Sequence, residues 1–192
     1  MNLDKSINYI ISGLERSGTS MLMQIIHASG APTAFDKSRD ADANNPKGYY
    51  ELEGGKIINK LIDGTFPLND YKGKFIKITS FGLKYLPVGK YKIIYSERNI
   101  DEILDSMEKM ADIIDTEREK TKESFMKLNI MIKNLITSRE DMDVLMVNYN
   151  EIIFNPSQHL KKIHDFINFP GLSLDDMVSA VDKRLYRQRR GR

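Results

Sequence analysis

The sequence contains no cysteine and no long apolar run. Without cysteine the protein can form neither a disulfide nor a thiolate metal site, and nothing indicates an oxidising compartment. A membrane-spanning helix needs about 20 consecutive apolar residues, and no stretch approaches that length. The first residues, MNLDKSINYIISG, do not read as a signal peptide, because their short apolar run is needed as a strand. We therefore expect a soluble, cytoplasmic protein with no membrane partner.

Charge is unevenly distributed along the chain. The formal net charge is +2, but the segment 183–192, KRLYRQRRGR, carries six Lys or Arg residues and no acid. A protein that coats nucleic acid usually spreads its basic surface over the fold, so this local basic tail argues against a nucleic-acid partner. The length of 192 residues and the hydrophobic content of 41% suit one domain spanning 1–192.

Apolar patterning predicts alternating strands and helices. The expected strands are 7–11, 74–79, 91–96 and 143–148; the expected helices are 18–29, 50–63, one starting after Asn99, 116–139, 156–168 and one after Ser173. This alternation predicts an α/β, three-layer, P-loop-like fold with a parallel sheet of four to five strands flanked by helices. Residues 31–50 are mostly polar and aperiodic, so we expect a mobile loop that serves as a lid or binding loop.

A glycine-rich loop follows the first predicted strand. Gly13 and Gly18 fit the pattern G-x-x-x-x-G at the start of a helix, where backbone amides bind phosphate or sulfate. A nucleotide-hydrolysing P-loop continues with Lys and then Ser or Thr, whereas this loop continues with Thr19 and Ser20. Its cation, Arg16, comes before the second glycine. Such a cation can cover the near side of one phosphate.

Polar residues follow the other predicted strands. In an open parallel sheet, ligands bind at the carboxyl ends of the strands. Lys77 lies in the second half of the second predicted strand, near its carboxyl end, and Arg98 follows the third. Ser106 lies eight residues after Arg98 in the next helix, so the two side chains could hold a second phosphate together.

Several segments resemble the sulfotransferases that use 3′-phosphoadenosine 5′-phosphosulfate (PAPS). The loop R-S-G-T-S is similar to their 5′-phosphosulfate loop, and KYKIIYSERNIDEILDSMEKM resembles their 3′-phosphate segment. The stretch FIKITSFGLKYLP resembles the strand that bears a catalytic Lys within K-T-H-L-P. The stretches NPKGYYE and VNYNEIIFNPSQHLKKIHDFINFP also match family patterns, so the resemblance runs from about residue 7 to residue 170.

The resemblance implies roles for individual residues. It implies that PAPS is the donor, that 3′,5′-adenosine bisphosphate (PAP) is the product, and that no metal is required. The implied donor-binding residues are Arg16, Ser17, Gly18, Thr19, Ser20, Arg98, Ser106, Arg189 and Arg190, and the implied catalytic residues are Arg16, Glu51 and Lys77. Thr79 stands where the cytosolic enzymes have their catalytic His, so the base is expected to be the carboxylate Glu51. Glu53, Asp36 and Asp40 are weaker candidates, and Asn150 replaces an acidic residue in a structural position.

Two other functions stay open on the residues alone. A P-loop nucleotide kinase or NTPase would need a loop Lys and a strand ending in Asp to hold magnesium, and neither is present. A non-catalytic nucleotide-binding module would fit the missing His and the short C-terminus. We expect a small-molecule or saccharide acceptor, although lipid and peptide acceptors and the oligomeric state are left open.

Overall fold

A four-stranded parallel sheet forms the centre of the molecule. In the computed structural model, which describes residues 3–187, the sheet order is β2-β1-β3-β4. The strands are β1 (Asn8–Gly13), β2 (Phe75–Lys77), β3 (Tyr91–Glu97) and β4 (Met142–Asn148). Every residue of β1 is buried, as expected for a parallel strand covered on both faces. The predicted parallel sheet is confirmed, with four strands.

Helices cover both faces of the sheet. They are α1 (Thr19–Ala28), α2 (Ile57–Ile62), α3 (Ile100–Ala111), α4 (Arg118–Ser138), α5 (Tyr149–Phe154), α6 (Pro156–Ile167) and α7 (Leu174–Ala180). Tyr9 and Ile11 of β1 pack into a core with α1, α6 and α7, whereas Ile10 packs into a second core with α2 and α4. Alternate residues of one strand therefore face different helix layers, and the predicted three-layer arrangement is confirmed. Within residues 3–187, no helix has both the length and the hydropathy required to cross a membrane.

The helix predicted over residues 50–63 was placed too early. The structure has a short 3₁₀ turn at Glu53–Gly55, and α2 begins only at Ile57. Tyr50 and Glu53 have φ of 53° and 51°, in the left-handed region that interrupts a right-handed helix. The pair Gly54-Gly55, also at positive φ, lowers the helix propensity further. Glu51 consequently lies in a loop and not at a helix N-terminus.

The helix α5 was missed in the sequence. It follows β4 directly and is capped by Asn148, whose side-chain oxygen accepts a hydrogen bond from the Glu151 amide at 3.1 Å. A helix of six residues is too short to display a helical repeat of apolar positions. Its position at the end of β4 brings Tyr149 and Asn150 to the carboxyl edge of the sheet.

Candidate active site

The loop between β1 and α1 is built for close approach of an anion. Gly18, at φ 102°, precedes the first residue of α1, and no side chain caps this helix. A Cβ at Gly18 would lie 2.3 Å from Cδ2 of Tyr149, so only glycine fits there. The first-turn amides of Thr19 and Ser20 have no acceptor within the helix. The backbone therefore presents amide donors and the positive end of the α1 dipole to the cavity described below.

The predicted donor-binding residues of the loop differ in whether they line the cavity. The Ser17 amide donates to the Leu14 carbonyl at 3.1 Å, so it already has an acceptor. The Ser17 side chain is buried, and its hydroxyl has no hydrogen-bond partner among the described residues. The Ser17 side chain therefore packs inside the loop. It lies so close to Gly13 that a Cβ there would be 2.4 Å from Ser17 Oγ. Gly18, Thr19 and Ser20 line the cavity.

Lys77, at the end of β2, connects the loop to Glu51. Its Nζ lies 2.7 Å from Glu51 Oε1 and donates to Ser20 Oγ at 3.1 Å and to the Tyr49 carbonyl at 2.6 Å. The Lys77 side chain is only 4% exposed. Burial lowers the pKa of Lys77, and the adjacent Glu51 carboxylate opposes that shift. The structure thus places two predicted catalytic residues in direct contact beside the phosphate loop.

Arg16, within the loop, and Arg98, after β3, contact each other. The Arg16 Nε donates to Ser106 Oγ at 2.9 Å, and Arg98 donates to the Arg16 carbonyl at 3.1 Å. Burial lowers the pKa of Arg16, and the nearby positive charges of Arg98 and Arg187 act in the same direction. Arg16, Arg98 and Ser106 all line the same cavity as Lys77 and Glu51. The two anion-binding groups predicted from the sequence therefore meet in one place.

A buried polar network behind Arg98 was missed in the sequence. In the sequence, Asn99 followed by Glu102 three residues later is typical of a helix start, and Asn99 does cap α3 by accepting from the amides of Asp101 and Glu102. The Glu102 side chain, however, is 1% exposed and accepts from Arg98 Nε at 3.0 Å. The Tyr186 hydroxyl donates to Glu102 at 2.6 Å, and the Asn150 amide donates to the same carboxylate at 3.2 Å. The network that orients Arg98 therefore joins Glu102 to Tyr186, which lies 84 positions further along the chain.

The cavity has a volume of about 290 Å³. On one side it is closed where the loop 31–50 contacts the C-terminal segment around Arg187. Arg187 donates to the carbonyls of Ala43 and Asn44 at 2.6 and 3.0 Å. Lys47 forms an ion pair with Asp182 at 3.3 Å.

Three further cations that were not predicted from the sequence line the cavity, namely Arg39, Lys109 and Arg187. The predicted binding residues Arg189 and Arg190 lie outside the described residues.

The weaker base candidates are placed less favourably. Glu53 pairs with Lys60 at 2.7 Å, and Asp36 accepts hydrogen bonds from the amides of Ser38 and Glu53. Asp36, Asp40 and Glu53 are not among the described residues that line the cavity, whereas Thr79 is. Of the four carboxylates considered as the base, Glu51 is thus the one that lines the cavity, next to Lys77.

No metal site is evident in the described part of the chain. Between residues 3 and 187, no three His, Asp or Glu side chains are grouped closely enough to hold a metal ion. Metal independence stays a prediction, because it can be tested only on activity.

A parallel sheet flanked by helices, with a glycine-rich loop at its carboxyl edge, defines a P-loop-like α/β fold. The sequence narrows this class further. The family model described as "Sulfotransferase domain" matches residues 6–189, so the chain belongs to the sulfotransferase family, a family of transferase enzymes.

Solved structures share the fold. The mouse sulfotransferase SULT7A1, complexed with PAP, matches with a TM-score of 0.55 and 16% identity over 95% of this chain. The chain spans 66% of the length of that protein. The sulfotransferase domain of the Synechococcus PCC 7002 olefin synthase matches with a TM-score of 0.56 and 16% identity, over 94% of this chain and 82% of its own. No curated protein matches the sequence.

Proposed function

We propose that the protein transfers a sulfuryl group from PAPS to a hydroxyl or amine of a small-molecule or saccharide acceptor and releases PAP. The observation that carries this proposal is the convergence of the α1 N-terminus with Arg16, Lys77 and Arg98 in one cavity. A location in the cytoplasm is proposed with it, on the sequence evidence alone.

The residues present fit a nucleotide with two separate anions. At one end, Lys77, Ser20 and the α1 amides suit the 5′-phosphosulfate, since Lys77 Nζ and Ser20 Oγ are 3.1 Å apart. At the other end, Arg98 and Ser106 suit the 3′-phosphate, as the family resemblance implies. Arg16 belongs to the loop and contacts Ser106, so it adds positive charge between the two ends. Mouse SULT7A1, which shares the fold, is complexed with PAP.

The chain's residues divide the chemical work in a simple way. When bound, PAPS supplies the sulfuryl group: the acceptor atom bonds to sulfur, the bond from sulfur to the bridging oxygen breaks, and its electron pair stays on the 5′-phosphate. Glu51 accepts the proton that the acceptor loses. Lys77 and Arg16 offset the negative charge that develops on the sulfonate and the bridging oxygen. Arg98 and Ser106 hold the nucleotide in position, which lowers the entropic part of the barrier.

Nucleotide preference tests the proposal directly. Calorimetric titration should give a Kd for PAP in the micromolar range, about −8 kcal/mol, and much weaker binding of ATP with magnesium. The physical reason is that the cavity offers cations for two separated phosphates, whereas the loop lacks the Lys that grips a γ-phosphate. Preferential binding of ATP would favour a kinase, and tight PAP binding without transfer to any acceptor would favour a non-catalytic module.

The pH profile should report the charge of Lys77. Because burial lowers its pKa from 10.5, Lys77 loses its proton at a lower pH than an exposed lysine. Lys77 is charged below its pKa and neutral above it. As the pH is raised, kcat/KM should therefore start to decrease before pH 10.5 is reached. In Lys77→Arg, whose guanidinium keeps its proton to a much higher pH than a lysine does, the alkaline limb should move to higher pH even if the maximal rate falls. Identical alkaline limbs in the two proteins would remove Lys77 from the reaction.

A further inference from the structure

Arg39 ends a row of polar groups that leads outward from the phosphate loop. Ser20 Oγ lies 3.1 Å from Lys77 Nζ, Lys77 lies 2.7 Å from Glu51 Oε1, and Glu51 Oε2 lies 3.4 Å from Arg39. Arg98 and Ser106, the proposed 3′-phosphate site, are not part of this row. Arg39 follows the proposed base in it, so an acceptor that gives its proton to Glu51 lies close to Arg39.

The Arg39 guanidinium rests on a fixed aromatic platform. Its central carbon is 3.4 Å from the centroid of the Tyr49 ring. Tyr49 is 4% exposed, its hydroxyl donates to Asp42 at 2.7 Å, and its carbonyl accepts from Lys77 at 2.6 Å. Stacking on a ring that is held at both ends orients the planar guanidinium before any ligand arrives.

Arg39 also has hydrogen-bonding capacity to spare. Among the described residues its hydrogen-bond partner is Glu51, at 3.4 Å, beyond the usual range for a strong N–H···O bond. A guanidinium has five N–H donors, and the Arg39 side chain is 38% exposed. A planar, partly open guanidinium matches the bidentate geometry of a carboxylate or phosphate.

Part of the wall next to Arg39 has no side chains. Gly54 and Gly55 line the cavity there. A Cβ at Gly55 would lie 3.1 Å from Glu51 Oε2, and one at Gly54 would lie 4.0 Å from Cβ of Arg39. The glycines thus leave space for a ligand beside the Arg39 and Glu51 side chains.

We propose that the acceptor carries an anionic group, a carboxylate or phosphate, close to the reacting hydroxyl or amine, and that Arg39 binds this group. The inference rests on the proposed sulfuryl transfer. An acceptor anion replaces Glu51 as the partner of Arg39, which leaves Glu51 Oε2 available for the proton of the acceptor. Arg39 in this scheme selects the substrate and sets the state of the base, whereas it takes no part in binding the donor.

Matched pairs of acids and neutral analogues test the inference. The panel comprises galacturonate with galactose, 4-hydroxyphenylacetate with its amide, and glycerol 3-phosphate with glycerol, each titrated calorimetrically into protein saturated with PAP. In at least one pair the acid should bind about 10- to 100-fold more tightly, the usual effect of a hydrogen-bonded charge. The carboxylate and phosphate pairs separate the two possible anions.

Variants assign the preference to Arg39. Arg39→Gln should bring the acid-to-neutral ratio to about one and leave PAP affinity unchanged. Lys37→Gln removes the same charge from an exposed residue of the same loop and should leave the ratio as it is. If Arg39 only oriented Glu51, its loss would affect both members of each pair equally, and the ratio would persist.

The possible failures are distinguishable. Absence of PAP binding by the unaltered protein would overturn the proposed function together with this inference. Normal PAP binding with no preference for acids in any pair, with no binding of any acid, or with a preference that survives in Arg39→Gln would overturn the acceptor class alone.

Discussion

Replacing Glu51 by Gln should reduce sulfuryl transfer by about 100- to 10,000-fold, the range typical of a lost general base. Gln keeps the size of the side chain and one acceptor oxygen for Lys77, so the cavity should keep its shape. The amide cannot take up a proton at neutral pH. The measurement is PAP release from PAPS with an acceptor from the panel above, together with a calorimetric Kd for PAP. That Kd should change by no more than a few-fold.

A neighbouring carboxylate provides the control. Glu53 lies two residues away and pairs with Lys60 at 2.7 Å on the surface, with its side chain 40% exposed. Glu53→Gln should therefore leave transfer close to that of the unaltered protein. Full activity of Glu51→Gln would place the base elsewhere, and an equal loss in both variants would indicate a general effect on the loop.

Replacing Arg98 by Ala is expected to have two separate effects. It should weaken PAP binding by about 10- to 100-fold because a charge-assisted contact to the 3′-phosphate is lost. It should also destabilise the fold by about 3–5 kcal/mol, because Glu102, at 1% exposed, loses its ion-pair partner. Thermal unfolding gives the second effect, and calorimetry with PAP gives the first.

A second nucleotide and a second variant separate these effects. Adenosine 5′-phosphate lacks the 3′-phosphate, so its affinity should be nearly equal in the two proteins if Arg98 acts on that group. In the double variant Arg98→Ala with Glu102→Gln, the buried charge that Arg98 neutralises is removed as well, so part of the stability should return. PAP affinity should stay low in the double variant. If it recovered along with stability, the 3′-phosphate assignment would be wrong.

Local sequence was sufficient wherever the functional groups are neighbours along the chain. The strand β1, the glycine loop and α1 are contiguous, and their apolar runs and glycines follow rules that act over a few residues. Arg98 and Ser106 were predicted because their segment resembles the 3′-phosphate segment of the sulfotransferases, and a strand end and the next helix can reach the same edge of the sheet.

Local rules failed where backbone conformation or distant packing decided the outcome. Positive φ at Tyr50 and Glu53 delayed α2 and left Glu51 in a loop. The aperiodic loop 31–50 carries no pattern that reveals how Arg39 stacks on Tyr49. Glu102 looked like a capping residue because only its local position was visible in the sequence. Its contact with Tyr186 joins positions 84 residues apart, which no local pattern reveals.

Hydrophobic periodicity and glycine placement act locally, so the α/β class, the parallel sheet and the glycine-rich loop follow from the amino-acid sequence alone. Which charges meet depends on the folded chain. Glu51 lies against Lys77, Arg39 lies at the open end of that row, and Tyr186 buttresses Arg98 through Glu102. These contacts depend on the folding of an irregular loop and a C-terminal segment onto the sheet edge. Burial strengthens the Lys77–Glu51 and Arg98–Glu102 pairs, and no single segment specifies that burial.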